Sequence, residues 1–440
     1  MRTPRANENF LKLLVFALIA LMAIFELIAR RGLFADGAYF LTYILDRQIF
    51  LIPFDKLRIF SYWFTQFPTV IAVRLGVTNL PLLTYLFSSW LILAPLLFWG
   101  MALGKLVNDI LFWPFLALFT LVFLNANFFI IGEYNLSYAL IAYCFASMIR
   151  GQKESPVGLG LLMGAAFILI MTYPLTMLSA PLLAFIALKH MRKADPKHVK
   201  LYWLILFGFF VAAGGVGFWG FLFPGNLANK TNAMDFHALL FDRQAWITAL
   251  CVSVIFLQTS ICSKHGKDAA FIIILAVEAL IALGIFHPFP YVAYSVRGFM
   301  GIFLFLSLTI MMLAKMPVVQ NCFKQHRIEY LPSIYFYLPI FILFAELVIF
   351  DMRDSFAYGK YVGDFTRMVN GHSGYMMHGD SMAAVKNDRQ FGWTWTYPSM
   401  SLVLRENARK AIVLNPPEGV SQQFFNPFTG LPDLTRYYGS

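Results

Sequence analysis

Apolar residues along this chain come in long blocks. They fall near positions 10–29, 80–103, 110–131, 134–149, 157–172, 175–188, 201–223, 247–261, 269–286, 298–314 and 331–350. Most approach the roughly 20 apolar residues that a helix needs to cross a bilayer. The pattern predicts an all-α polytopic membrane protein with about eleven transmembrane helices. Blocks 157–172 and 175–188 are short and separated by Tyr173-Pro174, which suits a hairpin of sub-length helices. No small-residue cleavage site follows the first block, so it reads as a retained span and not a signal peptide.

Two hydrophilic regions interrupt the blocks: residues 30–79, a long first loop, and residues 352–440, a terminal segment. They divide the chain into a membrane domain, 1–351, and a C-terminal domain, 352–440. At 100° per residue from Asp36, one helical stripe holds Asp36, Tyr39, Tyr43, Asp46 and Arg47, while Leu41, Ile44, Leu45 and Ile49 face away. Such a helix is expected to lie in the interface plane with its apolar face in lipid. A second stretch, Arg58 to Leu75, mixes Phe60, Tyr62, Trp63 and Phe64 with Arg58 and Arg74 and suggests another interfacial helix. The terminal segment opens with polar sequence containing Gly359, Gly363, Gly371, Gly374 and Gly379. It then carries WTWTYPSMSLVLR, with Pro398-Ser399 in helix-start position, and AIVLNPP, a β-leaning run stopped by two prolines. A small mixed α/β domain is expected there.

Composition supports the membrane reading, with 59% hydrophobic residues and only 13% charged. The net charge of +11 is spread between apolar blocks and forms no basic patch with interleaved aromatics, so nucleic acid is not an expected partner. The distribution of Lys and Arg gives an orientation. With a cytoplasmic N-terminus, sixteen basic residues fall in cytoplasmic connections and nine on the other side, six of those nine in the long first loop. This places the protein in the inner (plasma) membrane, with the first loop and the C-terminal domain on the periplasmic or extracytoplasmic face. The four cysteines show no metal-ligand spacing, and no P-loop, Rossmann fingerprint or GxSxG elbow for Ser399 or Ser401 is present. No cofactor motif appears and no metal site is indicated; Asp235 and His237, one residue apart in NAMDFHALLFDRQAW, are weak evidence for one.

A long outer loop directly after the first span, an acid within it in FADGAYF, interfacial helices behind, and a terminal outer domain together resemble the GT-C superfamily of polytopic glycosyltransferases. The resemblance implies a GT-C-like fold and a polyprenyl-phosphate-linked sugar as donor. It also implies a glycan, lipid or protein acceptor and inversion at the anomeric carbon. Asp36 matches the position of the first-loop catalytic acid, where it would serve as general base toward the acceptor hydroxyl. The family's frequent second, adjacent acid is replaced here by Gly37 and Ala38, which argues against a metal-bridged acid pair. Glu133, in IIGEYNLSY, offers a second acid from another loop. A lipid phosphate leaving group requires cations, and Arg297 in HPFPYVAYSVRGF and Arg58 are the candidates, because a guanidinium forks onto phosphate oxygens and stays charged beside lipid. Tyr39, Tyr43, His287 and Tyr291 are expected to line the substrate site.

Each assignment has a plainer rival. Asp36 in this position also reads as a helix N-cap. Glu133 also reads as a boundary residue in a short turn, and Asp46-Arg47 as a solvated pair. Arg297 also reads as a side chain that snorkels to headgroups or pairs with Glu278 or Glu346. Arg30-Arg31 reads as a headgroup anchor, with Arg30 one turn after Glu26 and placed to pair with it. A different class of function, a transporter or flippase of lipid-linked saccharides, competes with transfer, and a glycan polymerase or ligase, chemically close to transfer, is a third reading. The chain shows no two-half symmetry of the kind many transporters carry.

Overall fold

The computed structural model describes residues 4–51, 56–124, 132–149, 155–195, 197–224, 293–316, 334–377 and 396–414. It adds short pieces at 388–392 and 434–438 and single positions at 230, 385 and 432. These residues are predominantly helical. The long elements are α1 (Pro4–Ile28), α2 (Asp36–Arg47), α3 (Ile59–Arg74), α4 (Leu80–Leu106), α5 (Phe112–Phe119), α6 (Glu133–Ile149), α7 (Pro156–Leu169), α8 (Thr176–Lys193), α9 (Lys197–Leu222), α10 (Ala293–Ala314) and α11 (Ile334–Gly371). The terminal segment adds α12 (Asp388–Phe391), α13 (Tyr397–Leu404) and a two-stranded parallel sheet, with β1 (Tyr375–Met377) beside β2 (Ile412–Leu414) and Tyr375 opposite Ile412.

Every predicted apolar block within the described residues corresponds to a helix; those at 247–261 and 269–286 lie outside them. By length and composition, four helices among the described residues are long and apolar enough to cross a membrane: Asn7–Ile28, Leu80–Leu106, Lys197–Leu222 and Arg297–Ala314. The apolar window of α9 is only 22% buried, leaving Leu201, Leu204, Val211 and Phe218 exposed as lipid-facing side chains would be. α7, at 14 residues, spans about 21 Å and falls short of a bilayer core of about 30 Å. It turns through Tyr173-Pro174 into α8, which packs against α9 and α6 and not back along α7, so the two do not form the expected hairpin.

Local sequence explains where these helices begin. Asn79 caps α4 by accepting from the Leu82 N–H at 2.9 Å, and Ser155 caps α7 by accepting from Gly158 at 3.1 Å, each with a proline in the first turn. The bundle has two distinguishable ends. At one, Lys12 pairs with Glu8 at 2.7 Å and donates to the Val107 carbonyl at 2.8 Å, while Lys315 at the end of α10 pairs with Asp109 at 2.8 Å. At the other lie the end of α1, the starts of α4, α6 and α10, and the turn after α7. The described residues of 30–74 and of the terminal segment sit at this second end.

Three further expectations change. The stripe on α2 is as predicted, with Asp36, Tyr39, Tyr43, Asp46 and Arg47 less buried than the opposite face, but that apolar face meets protein and not lipid. Leu41, Ile44 and Leu45 are wholly buried, and α13 packs on this helix. Thr42 Oγ1 approaches the Ser399 carbonyl at 3.4 Å, and the Tyr437 hydroxyl donates to the Leu45 carbonyl at 2.9 Å. α3 instead carries the exposed apolar ridge, Trp63, Phe67, Ile71 and Leu75 at four-residue spacing. The polar opening of the terminal segment is also helical. α11 continues for 38 residues, about 57 Å, through Gly359 and Gly363. Tyr358, Tyr361, Phe365 and Val369 form a buried stripe along it, and that burial outweighs a glycine penalty of about 1 kcal/mol per residue. Finally, Arg31 is fully buried and is no headgroup anchor. Its charge faces Asp351 and Glu26, and its guanidinium lies 4.8 Å from the Phe34 ring centre. Arg30, turned away by a left-handed backbone (φ 54°), lies over Tyr85 at 5.4 Å.

Candidate functional site

Four charged side chains from well-separated stretches meet at the second end of the bundle. Asp36 opens α2, Glu133 opens α6, Arg58 ends a 3₁₀ turn (Lys56–Arg58) ahead of α3, and Arg297 lies in the first turns of α10. Arg58 Nη1 is 3.2 Å from Glu133 Oε2, with both side chains about nine-tenths buried. Asp36 lies within electrostatic reach of Arg297, Glu133 and Arg58 together. Two carboxylates and two guanidiniums thus balance in one small volume. Both acids sit in the first turn of a helix, where the macrodipole favours negative charge.

A tight turn places Asp36. After α1 the chain passes through left-handed Arg30 and a 3₁₀ turn (Arg31–Leu33), then reaches Ala35 at φ 52°, ψ −120°, a conformation an alanine rarely takes. Such a residue costs on the order of 1–3 kcal/mol and persists only where its surroundings enforce it. The surroundings are Gly32, whose N–H donates to Ser88 Oγ at 2.8 Å, and Gly37. A side chain on Gly37 would come within 1.7 Å of the Gly32 carbonyl oxygen, and one on Gly32 within 2.6 Å of Ser88 Cα. No second acid fits directly after Asp36, which gives a steric reason for the glycine there. Asp36 is not the N-cap of α2: Ala35 holds that position and supplies no side-chain cap.

The two arginines are oriented by tyrosines. The Phe60 N–H donates to the Met171 carbonyl at 3.1 Å, tying the start of α3 to the α7–α8 turn, and the Arg58 guanidinium lies 5.4 Å from the Tyr173 ring centre. Arg297 is buried, with its guanidinium 4.7 Å from the centre of the Tyr134 ring and a side-chain hydrogen bond to Tyr173. The Tyr138 hydroxyl donates to the Arg297 carbonyl at 2.6 Å. Ring centroids of Tyr134, Tyr138 and Tyr173 are separated by 6.0–6.3 Å, so they form one aromatic wall. Sequence reading missed this wall. The available signals were Tyr134 directly after Glu133, Tyr138 one helical turn on, and Tyr173 before the proline of the α7–α8 turn.

Asp36 keeps part of its surface accessible, yet protein surrounds it closely enough that burial pushes its carboxyl up to about 6. Arg297 and Arg58 oppose that rise and Glu133 adds to it. Tyr39, half-buried and within reach of the Asp36 charge, is held protonated, with burial pushing its phenol up to about 12. Tyr43 lies further along α2 among Asp46 and Arg47 and does not join the cluster. Asp46 and Arg47 pair at 2.9 Å with Arg47 exposed, the expected solvated pair. His287 and Tyr291 lie outside the described residues, as do Asp235, His237 and Glu278. Among the described residues no three His, Cys, Asp or Glu side chains gather as a metal site would require.

The arrangement offers a carboxyl raised to about 6 within electrostatic reach of two guanidiniums, set at one end of an apolar bundle. That combination can take a proton from a neutral hydroxyl while holding an anion. Comparison with known proteins gives no further guide: no family model, characterised protein or solved structure matches the chain.

Proposed function

We propose that this chain is a membrane glycosyltransferase, moving a sugar from a polyprenyl-phosphate carrier to a hydroxyl of an envelope glycan, lipid or protein. The acceptor oxygen attacks the anomeric carbon and its proton passes to Asp36. The bond from that carbon to the phosphate oxygen breaks, and polyprenyl phosphate leaves with the electron pair. Arg297 and Arg58 hold the phosphate oxygens, Glu133 keeps Arg58 in place, and Tyr134 and Tyr173 fix the plane of the Arg297 guanidinium. A single displacement inverts the anomeric centre. The isoprenoid tail stays in lipid while the sugar reaches the bundle end, which the distribution of basic residues assigns to the extracytoplasmic face.

One observation carries this reading: Arg58 and Arg297, from two different elements, both come within electrostatic reach of Asp36 on a third, at one end of the bundle. A positioned base contributes about 10²–10⁴ in rate, and stabilising the departing phosphate adds a term of similar size. The test uses full-length protein in lipid nanodiscs, supplied with polyprenyl phosphate bearing a radiolabelled hexose or pentose and with an envelope glycan extract. Release of polyprenyl phosphate with label entering the acceptor is expected, and Arg297→Gln is expected to lower kcat/KM by about 10² or more. Movement of intact lipid-linked sugar across a liposome bilayer, with no new glycosidic bond, would make the protein a transporter instead.

A further inference from the structure

A cavity lies at the same end of the bundle and shares no residue with the four-charge cluster. It has a volume of about 570 Å³, within the range of small-molecule sites of roughly 300–1,000 Å³. Its wall joins distant parts of the chain: Arg30 from the turn after α1, Asn79 at the head of α4, Asn370 near the end of α11, and Arg405, Glu406 and Tyr438 from the terminal segment. The terminal segment thereby completes a concave site on the membrane domain.

Its chemistry is specific. Arg30 and Arg405 both line it, one from each side of the junction. The Arg30 guanidinium rests over Tyr85, and its Nε is buried with no hydrogen-bond acceptor among the described residues. The Arg405 guanidinium lies 4.6 Å from the Tyr438 ring centre; its Nε donates to the Tyr438 hydroxyl at 2.7 Å and its Nη1 to the Ala408 carbonyl at 3.4 Å. The remaining amino group is left for a ligand. Asn370 sets the geometry of this wall, since its amide donates to the Leu404 carbonyl at 3.3 Å and its oxygen accepts from the Glu406 N–H at 2.9 Å. The site is therefore organised before any ligand arrives.

Two fixed guanidiniums call for a negative charge. The exposed Glu406 carboxylate would repel a bare phosphate ion but accepts hydroxyl protons well, and the Asn79 amide, whose oxygen caps α4, keeps donors for a neighbouring hydroxyl. Alternating donors and acceptors around a charged pair match a hydroxyl-rich ring that carries one acid group. We propose that this cavity binds an acidic saccharide, a sugar bearing a carboxylate or phosphate, with the acid group between Arg30 and Arg405 and the ring hydroxyls on Glu406 and Asn79. The site does not rest on the transferase reading.

The test is calorimetric titration of the full-length protein in nanodiscs of neutral phosphatidylcholine with trigalacturonate, maltotriose and inorganic phosphate. Trigalacturonate is expected to bind saturably, at least about tenfold more tightly than maltotriose, and to weaken as sodium chloride is raised. Arg30→Gln, checked for an unchanged melting curve, is expected to lose about tenfold for trigalacturonate alone. Arg30→Lys is expected to recover part of that loss. Absence of saturable trigalacturonate binding, equal binding of maltotriose, or a folded Arg30→Gln with full affinity would each overturn the proposal. So would competition by millimolar phosphate as strong as that of the saccharide, which would leave only an anion hole. Complete displacement by phosphatidylglycerol added to the nanodisc would overturn it in favour of a headgroup site.

Discussion

At the scale of single residues, Asp36 is where burial and charge oppose each other most directly. Burial raises its carboxyl to about 6 against the pull of Arg297 and Arg58, so the group is mostly ionised at pH 7 yet basic enough to take a proton. The sign for activity follows. A general base works only when deprotonated, so kcat/KM should stay level above pH 7 and fall about tenfold per unit below pH 6, as an acid limb near 6 in the pH–rate profile. A limb near 4, the ordinary carboxylate range, would mean that Asp36 is not the titrating base. The acid itself was legible in FADGAYF, and so were Glu133, Arg58 and Arg297, because charge beside an apolar block is conspicuous in sequence. Their partners were not. The Glu133–Arg58 pair spans 75 positions, and the tyrosine wall draws on three positions whose apolar character hides them among core aromatics.

At the scale of elements, the turn between α1 and α2 carries the precision of the site. Gly32 and Gly37 interlock there because neither tolerates a Cβ, and Ala35 is held at positive φ as a result. Gly37→Ala drives a methyl group into the Gly32 carbonyl and should destabilise the protein by about 1–3 kcal/mol or more, read as a lowered melting temperature in detergent. The same substitution at Gly100, where nothing lies within 4 Å, should leave the melting temperature unchanged or slightly raised. Periodicity located α2 and its polar stripe correctly but assigned its apolar face to lipid. Sequence could not show that α13, more than 350 positions away, covers that face, since amphipathicity reports that a face is buried and not by what. The continuation of α11 past Asp351 was hidden for a related reason: glycines and charges suggested a loop, while the aromatic stripe that keeps it helical is matched only by tertiary partners.

At the scale of the whole molecule, the blocks of apolar sequence foretold a helical bundle with charges gathered at its two ends, and the described residues form one. Alternation of the helices brings the first loop, the Tyr173-Pro174 turn, the head of α10 and the terminal segment to a single end, which is why residues so far apart in sequence can share a site. The orientation read from basic residues predicts that a cysteine placed at Arg409 is labelled by a membrane-impermeant maleimide from outside intact cells, and one placed at Lys193 only after permeabilisation. The reverse pattern would put the site on the cytoplasmic face and remove the rationale for an extracytoplasmic acceptor. The most direct measurement compares Asp36→Asn with Glu133→Gln in single-turnover transfer from labelled polyprenyl-phosphate sugar in nanodiscs. The base assignment predicts that Asp36→Asn slows formation of the glycosidic bond by about 10²–10⁴ while the protein stays folded and the donor still binds, and that Glu133→Gln acts chiefly on donor affinity. Bond formation at the wild-type rate by Asp36→Asn would contradict it.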